Sequence, residues 1–98
     1  MNPGGKASLT TIDSTTDPKI VQLVQDLKPQ IEAKTSATYS TFVPVAYRSQ
    51  VVAGTNYYVK IQVADNPPSY IHAVIYKHFS NPAVVTSAAT DKSFSDDL

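Results

Sequence analysis

The sequence predicts an α+β fold in which one N-terminal helix packs across a four- to five-stranded antiparallel meander sheet. The first observation is an apolar stripe of helical period between residues 18 and 34. The second is a change to alternating, β-branched and aromatic segments separated by turn residues over the rest of the chain. A helix with one apolar face can bury that face against one side of such a sheet, which gives a two-layer core. The 98 residues fit a single domain.

The helix is predicted from its capping residues and from its apolar spacing. Residues 1–16 are small and polar and are predicted to form a flexible N-terminal trunk. Asp17 is a good N-cap and Pro18 suits the first helical position. Pro29 cannot donate to the carbonyl of Gln25 and should either kink the helix or end it near Lys28. We expect a bent helix over residues 18–34, because its apolar stripe continues through Ile20, Val24, Leu27 and Ile31.

Four strands are predicted after the helix. The first lies in "ATYSTFVPVAYRSQVV", where Pro44 indicates an edge position or a bulge. The second, "TNYYVKIQV", alternates cleanly between two faces. The third, "YIHAVIYK", follows the turn residues "ADNPPS", and the fourth, "AVVTSAA", follows "HFSNP". Because alternate connections of a meander lie at one end of the sheet, residues 50–54 and "HFSNP" should lie close together, within reach of the trunk.

Composition excludes several classes of function. Eight Lys and Arg balance eight Asp and Glu without any basic run, so neither nucleic acid nor an anionic membrane is an expected partner. No segment approaches the length of a membrane span. The chain has no cysteine and no apolar leader, which favours a cytoplasmic location.

No catalytic constellation is evident. His72 and His78 are the only histidines; we interpret the first as a partly exposed strand residue and the second as a turn residue. Asp96 and Asp97 stand together in an acidic tail and are interpreted as solvated. No nucleophile motif, phosphate-binding loop or metal-ligand spacing is present, so we predict no enzyme activity, no metal and no cofactor.

Two adjacent valines stand where a polar turn is expected. In "QVVAG", Val51 and Val52 come directly before the small residues Ala53 and Gly54. One interpretation is that a valine ends the strand and enters the core. However, the chain must reverse so close to this pair that at least one valine should be exposed, which predicts a docking surface.

These residues resemble a known family. "QVVAG" followed by "TNYY" resembles the Gln-x-Val-x-Gly motif of the cystatins, and "SQVVAGTNYYVKIQVAD" resembles the stefins, their disulfide-free group. The tail "TDKSFSDDL" is similar to the stefin ending. The resemblance implies a single cystatin domain over residues 1–98. It also implies a reversible, tight-binding inhibitor of papain-like cysteine proteases, including cathepsins, that blocks the active-site cleft with a wedge.

The resemblance implies which residues form the protease-binding wedge. Its first hairpin is Gln50, Val51, Val52, Ala53 and Gly54. The trunk contributes Gly4 or Gly5, and the second hairpin contributes His78, Phe79, Ser80, Asn81 and Pro82. This chain departs from the family in the second hairpin, where Phe79 and Ser80 stand in place of the usual Leu-Pro pair.

Two other functions remain open. A non-inhibitory interaction module or scaffold on the same fold is the alternative that the altered second hairpin favours, and an enzyme is a third. The short first hairpin also predicts self-association. If it opens, two chains can exchange the helix and leading strand, giving a domain-swapped dimer; the active form is expected to be a monomer.

Overall fold

The computed structural model describes residues 6–12, 18–78 and 80–98. In chain order its elements are β1 (Thr10–Thr11), α1 (Pro18–Asp26), α2 (Lys28–Thr35), β2 (Val43–Val52), β3 (Gly54–Asp65), β4 (Pro68–Lys77) and β5 (Val84–Lys92). The strands form one five-stranded antiparallel sheet in the order β1-β2-β3-β4-β5. The predicted α+β meander is therefore confirmed.

The predicted single bent helix is divided into two helices at Leu27. Pro29 has no N–H to donate to the carbonyl of Gln25, so the regular bonding pattern is interrupted there. The N–H of Leu27 lies 3.1 Å from the carbonyl oxygen of Leu23 and 3.2 Å from that of Val24, which tightens the chain at the break. Ile31 then donates to the carbonyl of Leu27 at 3.0 Å, and the apolar stripe continues across the bend.

The core lies between the helices and one face of the sheet. Val24 and Ile31 are fully buried from the helical side, and the predicted alternation of β3 places Val59 and Ile61 opposite them. The other buried members of this cluster are Leu27, Phe42, Ile71, Ala73, Ile75 and Val85. The opposite sheet face, to which Tyr58, Lys60 and Gln62 point, is left for other contacts.

The predicted bulge at Pro44 is confirmed. The β2–β3 register shifts between Pro44 and Ala46. The carbonyl of Val45, at the bulge, accepts a hydrogen bond of 2.9 Å from the N–H of Ile12. The bulge in β2 that Pro44 predicted is therefore also the place where Ile12, the residue after β1, is bonded to the sheet.

Part of the trunk differs from its prediction as a flexible segment. Thr10 pairs with Tyr47 and Thr11 with Ala46, so this part of residues 1–16 is an edge strand on β2. The physical reason is that β2 would otherwise present unpaired backbone groups along the sheet edge. Gly4 and Gly5 lie outside the described residues. No helix among the described residues is long and apolar enough to cross a membrane.

Asp96 and Asp97 are exposed, as predicted for a solvated tail, but the tail also makes contacts that the sequence did not predict. Asp97 forms an ion pair with Arg48 at 2.8 Å, although its own side chain is 78% exposed. Lys60 donates to the carbonyls of Phe94 and Asp96 and is only 5% exposed. Because Lys60 points away from the core, residues 93–98 cover the part of the opposite sheet face that surrounds Lys60.

Candidate functional site

The first hairpin, residues 50–54, reverses within a single residue. β2 and β3 remain paired up to Val52 and Gly54, so Ala53 alone forms the tip. Val51 is 71% exposed and Val52 is 41% exposed. The interpretation in which a valine enters the core is therefore wrong for both residues, and the hairpin presents a nonpolar tip to solvent.

Gly54 allows this hairpin to lie against the end of β4. Its φ of +108° is a backbone conformation that residues with a side chain rarely adopt. A Cβ added there would lie 2.7 Å from the carbonyl oxygen of Lys77 and 3.1 Å from the Cα of His78. Only glycine permits both the backbone conformation and the close approach, so the first hairpin is seated directly beside the start of the second.

A side-chain contact joins the same two regions. The phenol of Tyr76, on β4, donates a hydrogen bond to the carbonyl of Ala53. The ring of Tyr76 also lies 6.3 Å, centroid to centroid, from that of His78. The tip of the first hairpin, which β2 and β3 form, is thereby bonded to the neighbouring strand β4.

Gln50 is held within the hairpin. Its Oε1 accepts hydrogen bonds from Asn56 Nδ2 at 3.1 Å and from the phenol of Tyr58 at 2.6 Å. Asn56 is the direct cross-strand partner of Gln50, and Tyr58 lies diagonally beside it on the same face. These bonds fix the base of the hairpin, while the two valines remain available for contact.

The second hairpin, residues 78–82, lies at the same end of the sheet. Lys77 Nζ donates to the carbonyl of Asn81 at 2.6 Å and to that of His78 at 3.2 Å, which closes the turn. Ser80, Asn81 and Pro82 are exposed. Phe79 lies outside the described residues.

The trunk runs toward the same end. The N–H of Ala7 donates to the carbonyl of Ser49 at 2.7 Å, directly before the first hairpin. The ammonium of Lys6 lies 4.1 Å from the ring centroid of Tyr58. The structure therefore brings the described part of the trunk beside the first predicted hairpin.

The end of the sheet that carries the two hairpins exposes Val51, Val52, Ser80, Asn81 and Pro82. Among residues 6–12, 18–78 and 80–98 no cluster of His, Cys, Asp and Glu could hold a metal ion. Clear pKa shifts occur elsewhere, at Lys60, His72, Asp96 and Asp97 around the tail. Burial lowers the pKa of Lys60, while Asp96 and Asp97 oppose that change.

Several supporting residues were missed in the sequence. Asn56 and Tyr58 could have been found, because a turn centred on Ala53 determines the cross-strand partners of Gln50. Tyr76 could not have been found from the sequence, because its approach to Ala53 depends on how β4 pairs with β3. Arg48 and Lys60 depend on the path of the tail, which no local pattern predicts.

Comparison with known proteins agrees with this arrangement. The model of the cystatin domain matches residues 8–80. Cystatin-A of Bos taurus is 41% identical over 103 aligned positions, covering 100% of this chain and 97% of that protein. Cystatin-A of Homo sapiens is 38% identical over 101 positions, with the same coverage of 100% and 97%. Leukocyte cysteine proteinase inhibitor 1 of Sus scrofa is 40% identical over 84 positions, covering 83% of this chain and 80% of that protein. The chain belongs to the cystatin family, within its stefin group.

Proposed function

We propose that this protein is a reversible, tight-binding inhibitor of papain-like cysteine proteases of the cathepsin type. The trunk, the first hairpin and the second hairpin together enter the active-site cleft and exclude substrate. The observation that carries the proposal is the exposure of Val51 and Val52, 71% and 41%, on a hairpin fastened at its tip and base. The name of the Sus scrofa relative, a cysteine proteinase inhibitor, supports the same class of partner.

Burial of the two valines alone does not supply the free energy that tight binding requires. Full burial of one valine contributes about 1.5–3 kcal/mol. Nanomolar binding corresponds to about −12 kcal/mol after the costs of association. Two valines fall short of that value, so the second hairpin and the trunk must add contacts. Because Gly54 and Tyr76 hold the first hairpin in place before binding, less conformational freedom is lost on association.

Inhibition by this wedge needs no covalent step. The cleft of such a protease is concave and partly apolar, and Val51 and Val52 lose water there without leaving polar groups unpaired. A hairpin that crosses the cleft does not have to present a scissile bond to the catalytic thiolate. The inhibitor is therefore expected to be released intact.

The decisive experiment replaces Val52 by Asp and measures inhibition of papain. We expect the inhibition constant to rise by roughly 100-fold or more, because an apolar contact is lost and a carboxylate is desolvated. Val43→Asp is the matched control: Val43 is 50% exposed on the same strand but lies at its other end. A folded Val52→Asp variant that inhibits like the wild type would contradict the role of the hairpin.

A second candidate is a non-inhibitory interaction module on the same fold. It is favoured by Phe79 and Ser80 in the second hairpin, where the family usually has Leu-Pro. Titration against papain separates the two candidates. Stoichiometric inhibition supports the inhibitor, and no inhibition at micromolar concentration supports the module.

We further propose that the monomer is the active form. Exchange of the helices and β2 between two chains would require the chain to extend at Ala53, which removes the reversal that presents Val51 and Val52. Size-exclusion chromatography followed by papain titration of each fraction tests this. A domain-swapped dimer that inhibits as fully as the monomer would refute it.

A further inference from the structure

Arg48 connects the two ends of the chain. On the trunk side, its Nη1 donates to the carbonyl of Ala7 at 3.1 Å. On the tail side, its Nη2 donates to Asp97 Oδ1 at 2.8 Å. The planar guanidinium presents several donors in a fixed geometry, which allows it to bind two acceptors at once.

The tail is held in place by contacts other than Arg48. Lys60 donates to the carbonyl of Asp96 at 2.6 Å and to that of Phe94. The ring of Phe94 lies 5.7 Å from that of Tyr70, and Asp96 Oδ2 accepts a bond of 2.8 Å from the N–H of Ser93. Residues 93–98 therefore offer Asp97 from a defined position rather than from a free end.

In the described part of the trunk, residues 6–12, few attachments lie near the first hairpin. β1 contains only Thr10 and Thr11. Beyond it, toward the chain start, Ala7 donates to Ser49 at 2.7 Å and Lys6 lies over Tyr58. The bond from Arg48 to Ala7 is thus a substantial share of what holds this part of the trunk on the sheet.

We propose that the C-terminal tail positions the N-terminal trunk for protease binding, through Asp97 and Arg48. Both are positioning residues, and neither has to touch the protease. Asp97 orients the guanidinium and the guanidinium holds Ala7, so that residues 6 and 7 are restrained beside the first hairpin. Less freedom is then lost when the trunk enters the cleft. The binding part of this proposal rests on the proposed inhibitory function.

The first test measures hydrogen exchange in the trunk, in the absence of a protease. In Asp97→Asn, we expect the amide of Ala7 to exchange with solvent about 2- to 5-fold faster, the range set by an exposed ion pair. Asp97→Glu should restore the wild-type rate, because it keeps the charge at an exposed position. Asp91→Asn, an equal change of charge on β5 at the opposite edge of the sheet, should leave Ala7 unchanged.

The second test is a double-mutant cycle on papain dissociation. Asp97→Asn should speed dissociation of the full chain by about 2- to 5-fold at low salt. In a chain lacking residues 1–5, the same substitution should have no effect, because the segment that is positioned is gone.

The outcomes are distinguishable. Unchanged exchange at Ala7 in Asp97→Asn overturns the proposal, whatever happens to inhibition. An equal effect on dissociation with and without residues 1–5 also overturns it, since the tail would then act on the protease directly. A wild-type chain that fails to inhibit papain overturns the proposed function and the binding part of this proposal, while exchange at Ala7 still decides whether the tail holds the trunk.

Discussion

Tyr76 donates a hydrogen bond from its phenol to the carbonyl of Ala53, so the tip of the first hairpin is bonded to the strand that leads into the second. Gly54 makes that approach possible, because its missing Cβ leaves room for the carbonyl of Lys77. The first hairpin is therefore in direct contact with the strand end from which the second begins.

Removal of the phenolic hydroxyl should loosen the first hairpin. In Tyr76→Phe the ring remains but the bond to Ala53 is lost, and we expect inhibition of papain to weaken by roughly 2- to 10-fold. The control is Tyr70→Phe, the same change at the other end of β4. Equal inhibition constants for Tyr76→Phe and the wild type would show that this bond does not order the hairpin.

A side chain at position 54 should damage the fold as well as the hairpin. Gly54→Ala places a Cβ 2.7 Å from the carbonyl oxygen of Lys77 and 3.1 Å from the Cα of His78, at a φ of +108°. Both of these neighbours are backbone atoms, which cannot move aside as a flexible side chain could. We expect the free energy of unfolding to fall by about 2 kcal/mol or more, measured by chemical denaturation.

The control for this prediction is Ala53→Ser, which changes the adjacent exposed tip residue and should leave the free energy of unfolding within about 0.5 kcal/mol of wild type. If Gly54→Ala is as stable as Ala53→Ser, the close approach of the two hairpins is not a constraint on position 54.

Deletion of residues 1–5 should weaken inhibition without unfolding the protein. The strand β1 and its pairing with β2 are retained, so thermal stability should stay near that of the full chain. We expect dissociation from papain to become roughly tenfold faster, with a smaller change in the association rate. Stopped-flow association and displacement measurements separate the two rates. If the truncated chain dissociates from papain at the original rate, residues 1–5 do not contribute to binding.

Stability should depend on the protonation of His72. Burial lowers the pKa of His72 below its ordinary 6.5, Lys60 and Lys92 lower it further, and Asp96 and Asp97 oppose the change. Between the lowered pKa and 6.5 the unfolded chain binds more protons than the folded one. The free energy of unfolding should therefore fall as pH falls below 6.5, and the loss is complete below the folded pKa.

The measurement is urea denaturation from about pH 8 to about pH 5, above the range where most carboxylates titrate. In His72→Gln the curve should be flatter than in the wild type, while the two curves run parallel above about pH 7.5, where the imidazole is neutral in both states. Identical slopes throughout would show that His72 does not contribute to the pH dependence.

The sequence by itself determined the features that depend on near neighbours. Pro29 predicted the bend, Pro44 predicted the bulge, and the alternation around Ile61 identified the core face of β3, because each follows from backbone sterics or side-chain periodicity. The tight reversal before Gly54 predicted in the same way that at least one of Val51 and Val52 is exposed, and the structure exposes both.

Only the tertiary structure decided the contacts between distant parts of the chain. Tyr76 and Ala53 are 23 residues apart, and Arg48 and Asp97 are 49 apart. Such contacts depend on strand register and on the path of the tail. The residues around Lys60 in the sequence do not indicate that the tail will bury it. The physical reason is that periodicity reports which face a side chain occupies, whereas its partner is set by how separate elements pack.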